Sequence, residues 1–254
     1  NRSNYRICYG RKMMAFLDSV TTGIQSVPRR TLIYGAQGVG KTTFAAKWPN
    51  AVLLPTEDGF AHVDVTATQR LTGSRDVYSA VMECVSSQFE TIIIDSVDWL
   101  ENLIWNELAE EGFKMDFGKG NMEAARRMGA ILKACDKARD AGKHVLLIGH
   151  ATQVKVEHPN GMSWDQMAVN LSKHCRALVS EWCDEVLFAE PEMAVSQKEE
   201  SFGRTRNVGI DKGRRVFHTV GKPAYQAKNR VPSLPEKFDL SDAEAYISAV
   251  TNVS

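Results

Sequence analysis

Gly35-Ala36-Gln37-Gly38-Val39-Gly40-Lys41-Thr42 has the spacing G-x-x-x-x-G-K-[ST], a set of residue types suited to holding a row of phosphates. The glycines let the backbone turn tightly and approach a ligand closely, so that successive N–H groups converge on anionic oxygens. Lys41 supplies a cation for the β- and γ-phosphates and Thr42 a hydroxyl for Mg²⁺, with Thr43 beside it completing the nucleotide-binding run. Two carboxylates stand downstream. Asp95 closes the apolar run Thr91-Ile92-Ile93-Ile94, where a parallel strand delivers its last residue to the ligand edge of a sheet, and is the second candidate for Mg²⁺. Glu57 follows the first strand after the phosphate-loop helix and is the candidate general base for a water, with Asp58 as the alternative in the same turn. The chemistry these residues suit is binding and hydrolysis of ATP.

A strand, a loop and a helix must carry the glycine-rich run, and the flanks supply them. Thr31–Tyr34 reads as a short β-prone strand, and Thr42–Trp48 as a helix stopped by Pro49. Further strands are expected at Ala51–Leu54, Thr91–Asp95, His144–Gly149 and Glu185–Ala189. Helices are expected between them at Asp76–Phe89, Val97 to about Glu110, Met122–Ala141 and about Gln166–Trp182, with residues 61–73 polar and irregular. Two loops interrupt this alternation, one over 111–120 and one running from His150 through Trp164. Beyond Pro191 the pattern predicts a hairpin of Asn207–Ile210 with Val216–Val220 turning through Asp211-Lys212-Gly213, then a strand at Tyr225–Arg230. A helix at about Ser241–Val250, capped by Asp239 or Ser241, ends the pattern. The reading is an α/β fold with a mainly parallel central sheet, flanking helices and a C-terminal antiparallel extension. It divides the chain into a tail at 1–22, a core at 23–235 and a C-terminal helix at 236–254, with the natural start placed at Met13 or Met14.

The 254 residues carry 31 Lys+Arg against 31 Asp+Glu, so no global positive field draws nucleic acid and any such contact must use local clusters. Hydrophobic content of 43% and charged content of 24% are those of an ordinary globular chain. The 5 cysteines form no C-x-x-C pair and read as reduced thiols filling the core. No apolar run approaches the ~20 residues needed to span a bilayer, and the expectation is a cytoplasmic protein with no membrane contact.

These ordered motifs resemble the RecA family of ATPases over roughly residues 30–231. Glu57 matches the family's catalytic glutamate and Asp95-Ser96-Val97 its Walker-B strand end. The stretch 111–121 matches its first DNA loop, and Thr152–Asn170 the second, with His150 or Gln153 as the sensor of the γ-phosphate. Lys228-Asn229-Arg230 looks like the pair of cations that reaches a neighbouring subunit's ATP. The compact length is most similar to the phage-encoded Sak-type group that acts in single-strand annealing and recombination. The resemblance implies ATP and Mg²⁺ as cofactors, single-stranded DNA, other copies of the chain and a single-strand-binding protein as partners, and the cytosol of a bacterial host as location. It implies DNA contacts from Lys114, Phe117 and Lys119 in the first loop, and from Lys155, His158 and Trp164 in the second. The alternative reading is an ATP-dependent switch or loader acting on a protein partner.

Overall fold

The computed structural model describes residues 27–200, 204–231 and 233–251, together with Val20 and Thr22, with backbone alone at 195–200 and 204–209. The N-terminal tail, apart from those two residues, lies outside them, as does Cys8. Strands β1 (Arg30–Gly35), β2 (Ala51–Pro55), β3 (Thr66–Ala67), β4 (Thr91–Asp95), β5 (His144–Glu157), β6 (Ser163–Val169), β7 (Glu185–Glu200), β8 (Arg204–His218) and β9 (Lys237–Asp239) alternate with helices. The helices are α1 (Lys41–Ala46), α2 (Ser74–Val85), α3 (Val97–Glu110), α4 (Lys119–Asp140), α5 (Lys173–Trp182) and α6 (Ala243–Thr251). The sheet runs β3-β2-β4-β5-β1-β7-β8-β9, with β6 off this path and paired to β5. The pairs β3/β2, β2/β4, β4/β5, β5/β1 and β1/β7 are parallel, whereas β7/β8 and β8/β9 are antiparallel. This is the expected α/β architecture, a mainly parallel sheet with flanking helices and a C-terminal antiparallel extension.

The central strands are apolar on both faces because helices cover both. Alternate residues Leu32, Tyr34, Ile92, Ile94, Val145 and Leu147 pack against α2, α3, α4 and α5. Their neighbours Ile33, Ile93, Leu146, Ile148 and Leu187 pack against Phe44 of α1, Phe217, Phe238 and the inner face of α6. Cys84, Cys135, Cys175 and Cys183 are buried free thiols, as core filler should be. No helix of the described residues is long and apolar enough to cross a membrane.

Six elements differ from the sequence reading. The segment from His150 through Trp164 is no loop: β5 continues to Glu157 and pairs with β6, from Ala151 opposite Val169 to Glu157 opposite Ser163. Val154 and Val156 alternate with Lys155 and Glu157, Pro159-Asn160-Gly161 makes the turn, and Gly161 sits at φ 85°. The strand takes Gln166–Val169 out of the expected helix, so α5 begins only at Lys173. The C-terminal hairpin is far longer than the sequence suggests. Asp211-Lys212-Gly213 is a bulge within β8 rather than its turn, where the register shifts between Pro191 and Met193 and Gly213 N–H donates to Asp211 Oδ1. Tyr225–Arg230 forms isolated bridges to Met167 and Val186 instead of a strand. Finally, 61–73 contains β3, and α4 begins at Lys119, which shortens the first loop.

Candidate active site

The phosphate loop leaves β1 at Gly35, where an added Cβ would lie 2.1 Å from the Ala189 carbonyl oxygen of β7. Only glycine lets the strand end there. Gly38 and Gly40 have φ of 74° and 94°, in the left-handed region, and Val39 between them is buried beside Phe44, pinning the loop to the core. Lys41 arches back, its Nζ donating to the carbonyls of Gly35 at 3.2 Å and Ala36 at 2.9 Å. Burial lowers its pKa against the opposing pull of Asp95, Asp98 and Glu57.

Thr42 Oγ1 donates to Asp95 Oδ2 at 2.7 Å, joining the loop helix to the end of β4. A hydroxyl and a carboxylate oxygen form a hard donor set that suits Mg²⁺, an ion commonly held by one or two protein groups plus substrate phosphates. Among the described residues no cluster of three or more His, Cys, Asp or Glu could hold a metal on its own. Thr42 and Asp95 would hold the ion, which when bound neutralises charge developing on the phosphates. Burial raises the Asp95 pKa, opposed by the Thr42 hydrogen bond and the Lys41 charge.

Just past β2, Asp58 reaches the rim of the cavity, but its side chain is 81% exposed and spent on an ion pair with Arg70 at 2.6 Å. Glu57 turns inward and lines the same cavity of about 230 Å³ as Lys41, Thr42, Asp95 and His150. Burial raises its pKa, with the neighbouring His150 acting against that and Asp95 adding to it. Thr56, which the sequence reading passed over, holds this arrangement together. Its hydroxyl donates to the Ser96 carbonyl and accepts from the Ser96 N–H, each at 2.8 Å, while its own N–H donates to the Asp95 carbonyl at 2.8 Å. The Asp95–Ser96 peptide bond is cis. A threonine directly before a candidate base was the available signal.

His150 stands opposite Gly35 in the β1/β5 register and presents Nε2 3.9 Å from Glu57 Oε1. Gln153 is exposed further along the hairpin, opposite Met167. A second residue missed from sequence, Asp98 in the first turn of α3, accepts the His150 N–H at 3.1 Å and bonds His150 Nδ1 at 2.9 Å. That bond raises the His150 pKa against the effect of burial. For Asp98 burial pushes upward, but the His150 interactions prevail and hold its carboxyl below the usual range. Phe60 and Val63 also line the cavity. They sit just beyond a turn whose irregular sequence gave them no periodicity.

Lys228 and Arg230 lie away from this cavity. Lys228 Nζ donates to the Ser180 carbonyl at 2.7 Å, and Arg230 pairs with Asp184 at 3.2 Å, next to the start of β7. They share a side of the molecule without a strand to hold them. In the first loop Lys114, Phe117 and Lys119 are all exposed, whereas Phe113 packs against the core. Phe117 is fully exposed at φ 50°. In the hairpin Lys155 is exposed opposite Asp165, His158 lies near the turn with its ring 6.1 Å from that of Trp164, and Trp164 Nε1 donates to the Pro223 carbonyl at 2.9 Å. The two groups occupy separate elements, a short loop and a hairpin.

A sequence model of the AAA domain family matches residues 27–231, from just before β1 to just past Arg230. No curated protein matches. Among solved structures, a KaiC-like protein from the hyperthermophilic archaeon Pyrococcus horikoshii is similar, at 13% identity over 84% of this chain and 85% of that one, with a TM-score of 0.43.

Proposed function

We propose that this chain, which belongs to the AAA domain family, is a Mg²⁺-dependent oligomeric ATPase coupled to single-stranded DNA, working in phage-type annealing or strand exchange. ATP binding and hydrolysis follow from the family and from the phosphate loop facing Glu57. Loop amides and Lys41 hold the β- and γ-phosphates, Glu57 accepts the proton of the attacking water, and His150 contacts the terminal phosphate from the opposite wall. Lys228 and Arg230, remote from their own chain's cavity, serve the cavity of a neighbouring copy.

The observation that carries the DNA reading is Phe117. A bulky aromatic in the left-handed region costs about 1–2 kcal/mol. Here the ring is fully exposed and gains no packing in return. Lys114 and Lys119 flank it, both exposed. A ring offered to solvent between two cations suits a single strand, with a base stacked on the ring and phosphates against the amines.

The test is ATP turnover and DNA binding, with and without single-stranded DNA. Wild-type turnover should rise on adding DNA. Phe117→Ala should weaken binding by about 1–3 kcal/mol. Removing Lys114 and Lys119 together should flatten the slope of log affinity against log salt by about one to two units. Turnover indifferent to DNA in a chain that still hydrolyses ATP would favour the switch or loader reading instead.

A further inference from the structure

We infer that Asp98 is the positioning residue of the hydrolytic site: it fixes the tautomer and orientation of the His150 ring so that Nε2 is the nitrogen presented to Glu57. The inference rests on the reading of Glu57 as general base. Asp98 is buried in the first turn of α3, and both its carboxylate oxygens are committed to one residue. Oδ1 accepts the backbone N–H of His150 at 3.1 Å, fixing the end of the parallel part of β5, and Oδ2 meets Nδ1 at 2.9 Å, fixing the ring. An ionised carboxylate only accepts hydrogen bonds, so Nδ1 carries the proton. Nε2 is left as the ring's free nitrogen, 3.9 Å from Glu57 Oε1.

That separation is too long for a hydrogen bond, so the ring and the base share the cavity without locking each other. The charged groups facing His150 are Asp98 from α3, Glu57 from the end of β2, Lys41 from α1 and Asp95 from β4. Of these, only Asp98 touches the ring within hydrogen-bonding distance. With Nδ1 satisfied, a neutral ring offers Nε2 as an acceptor and a charged ring offers it as a donor. Either way the group that meets Glu57 or a phosphate oxygen is set by a residue that touches neither. An acid in the first turn of a helix also favours that helix through its dipole, but this role requires no specific contact with an imidazole.

Asp98→Asn separates the two roles. The amide oxygen can still accept the His150 N–H, while the amide NH₂ facing Nδ1 makes that nitrogen an acceptor and moves the proton to Nε2. Nitrogen-15 NMR of the histidine side chains should show an Nδ1–H tautomer for neutral His150 in the wild type and Nε2–H in the variant. In the variant kcat should fall at least tenfold, with ATP affinity unchanged within about twofold. In a His150→Ala background Asp98→Asn should cost nothing further, because the two residues act as a unit. A neutral wild-type ring protonated on Nε2 overturns the inference, and so does full turnover after a tautomer switch, or an equal cost with and without His150. Should Asp98→Asn not fold, the wild-type spectrum still decides the tautomer, and His150→Ala still decides whether the ring matters. Failure of the base reading is seen separately, as normal turnover in Glu57→Gln, and leaves the tautomer measurement standing.

Discussion

The same strands carry ionisable clusters at both ends, and the two ends are built to opposite purposes. At the carboxyl end Lys41, Glu57, Asp95 and His150 line an open cavity, and Glu57 and His150 face each other without bonding. At the amino end the charged side chains are paired with one another. Arg30 pairs with Asp184 at 3.0 Å and Asp136 at 3.3 Å and lies over the Trp182 ring. Arg29 pairs with Glu185 at 3.6 Å and donates to the Val250 carbonyl of α6 at 2.9 Å, and its N–H donates to His144 Nδ1 at 3.0 Å. Protonation is perturbed at both ends. Burial, aided by Arg29, lowers His144 to about 4, and burial raises Glu185 to about 7 against the pull of Arg29. Perturbation alone therefore does not mark a site here. What marks it is an unspent donor or acceptor facing open space.

The largest effect that would sharpen this contrast is at Glu57. Glu57→Gln keeps shape and hydrogen bonding but cannot accept a proton, so kcat should fall by about 10²–10⁴ while ATP binding, followed by calorimetry, stays intact. Near-normal hydrolysis would remove Glu57 from the chemistry. The next largest would break the contrast. Arg230 belongs by position to the closed end, yet its side chain is 55% exposed. Asp184 keeps Arg30 when Arg230 is removed, so the Lys228→Ala/Arg230→Ala protein should fold. If the pair serves a neighbour, that protein should bind ATP and hydrolyse it on the order of 100-fold more slowly. Mixing it with Glu57→Gln protein should then restore activity, since one interface can combine an intact base with an intact cation pair. Mixed oligomers that form without any rescue would return Arg230 to a purely structural role.

The open end was legible in the sequence and the closed end was not, for a physical reason. Phosphate chemistry requires fixed residue types at fixed spacings, so Gly35–Thr42, Asp95 and Glu57 could be read as a pattern ending successive strands. Arg29, His144 and Glu185 meet only through sheet register, across 115 and more residues of sequence, and no local pattern announces them. The two threonine and aspartate contacts that set the site, Thr56 with Ser96 and Asp98 with His150, are hidden for the same reason. The misread segments fail differently. Asp211-Lys212-Gly213 is a good turn signal that the fold uses as a bulge, and Gln166–Val169 has helical spacing that pairing with β5 overrides. In the hairpin the turn signal Pro159-Asn160-Gly161 stood between two alternating runs, but the charged residues in those runs made them read as loop.

The smallest expected effect tests the closed end by itself. Glu185 is fully buried and its pKa stands near 7, against an ordinary value of 4.5. Between those two pH values the unfolded chain releases the proton and the folded chain keeps it. Stability from this group is therefore full below about pH 4.5 and is lost as pH rises to 7, a change of roughly 2–3 kcal/mol. Glu185→Gln is neutral throughout and should not lose it. His144 slopes the other way, because its folded pKa of about 4 makes the protein less stable as pH falls from 6.5. It is present in both proteins, however, and cancels in their difference. Denaturant unfolding should then show the variant gaining on wild type between pH 5 and pH 8, by about the amount that Glu185 loses over that range, whatever constant offset the loss of Arg29's partner adds. ATP turnover should be unchanged within about twofold. A stability difference that is the same at both pH values would mean that Glu185 is already ionised in its buried place, and that the amino end holds a formed ion pair with Arg29 rather than a neutral acid.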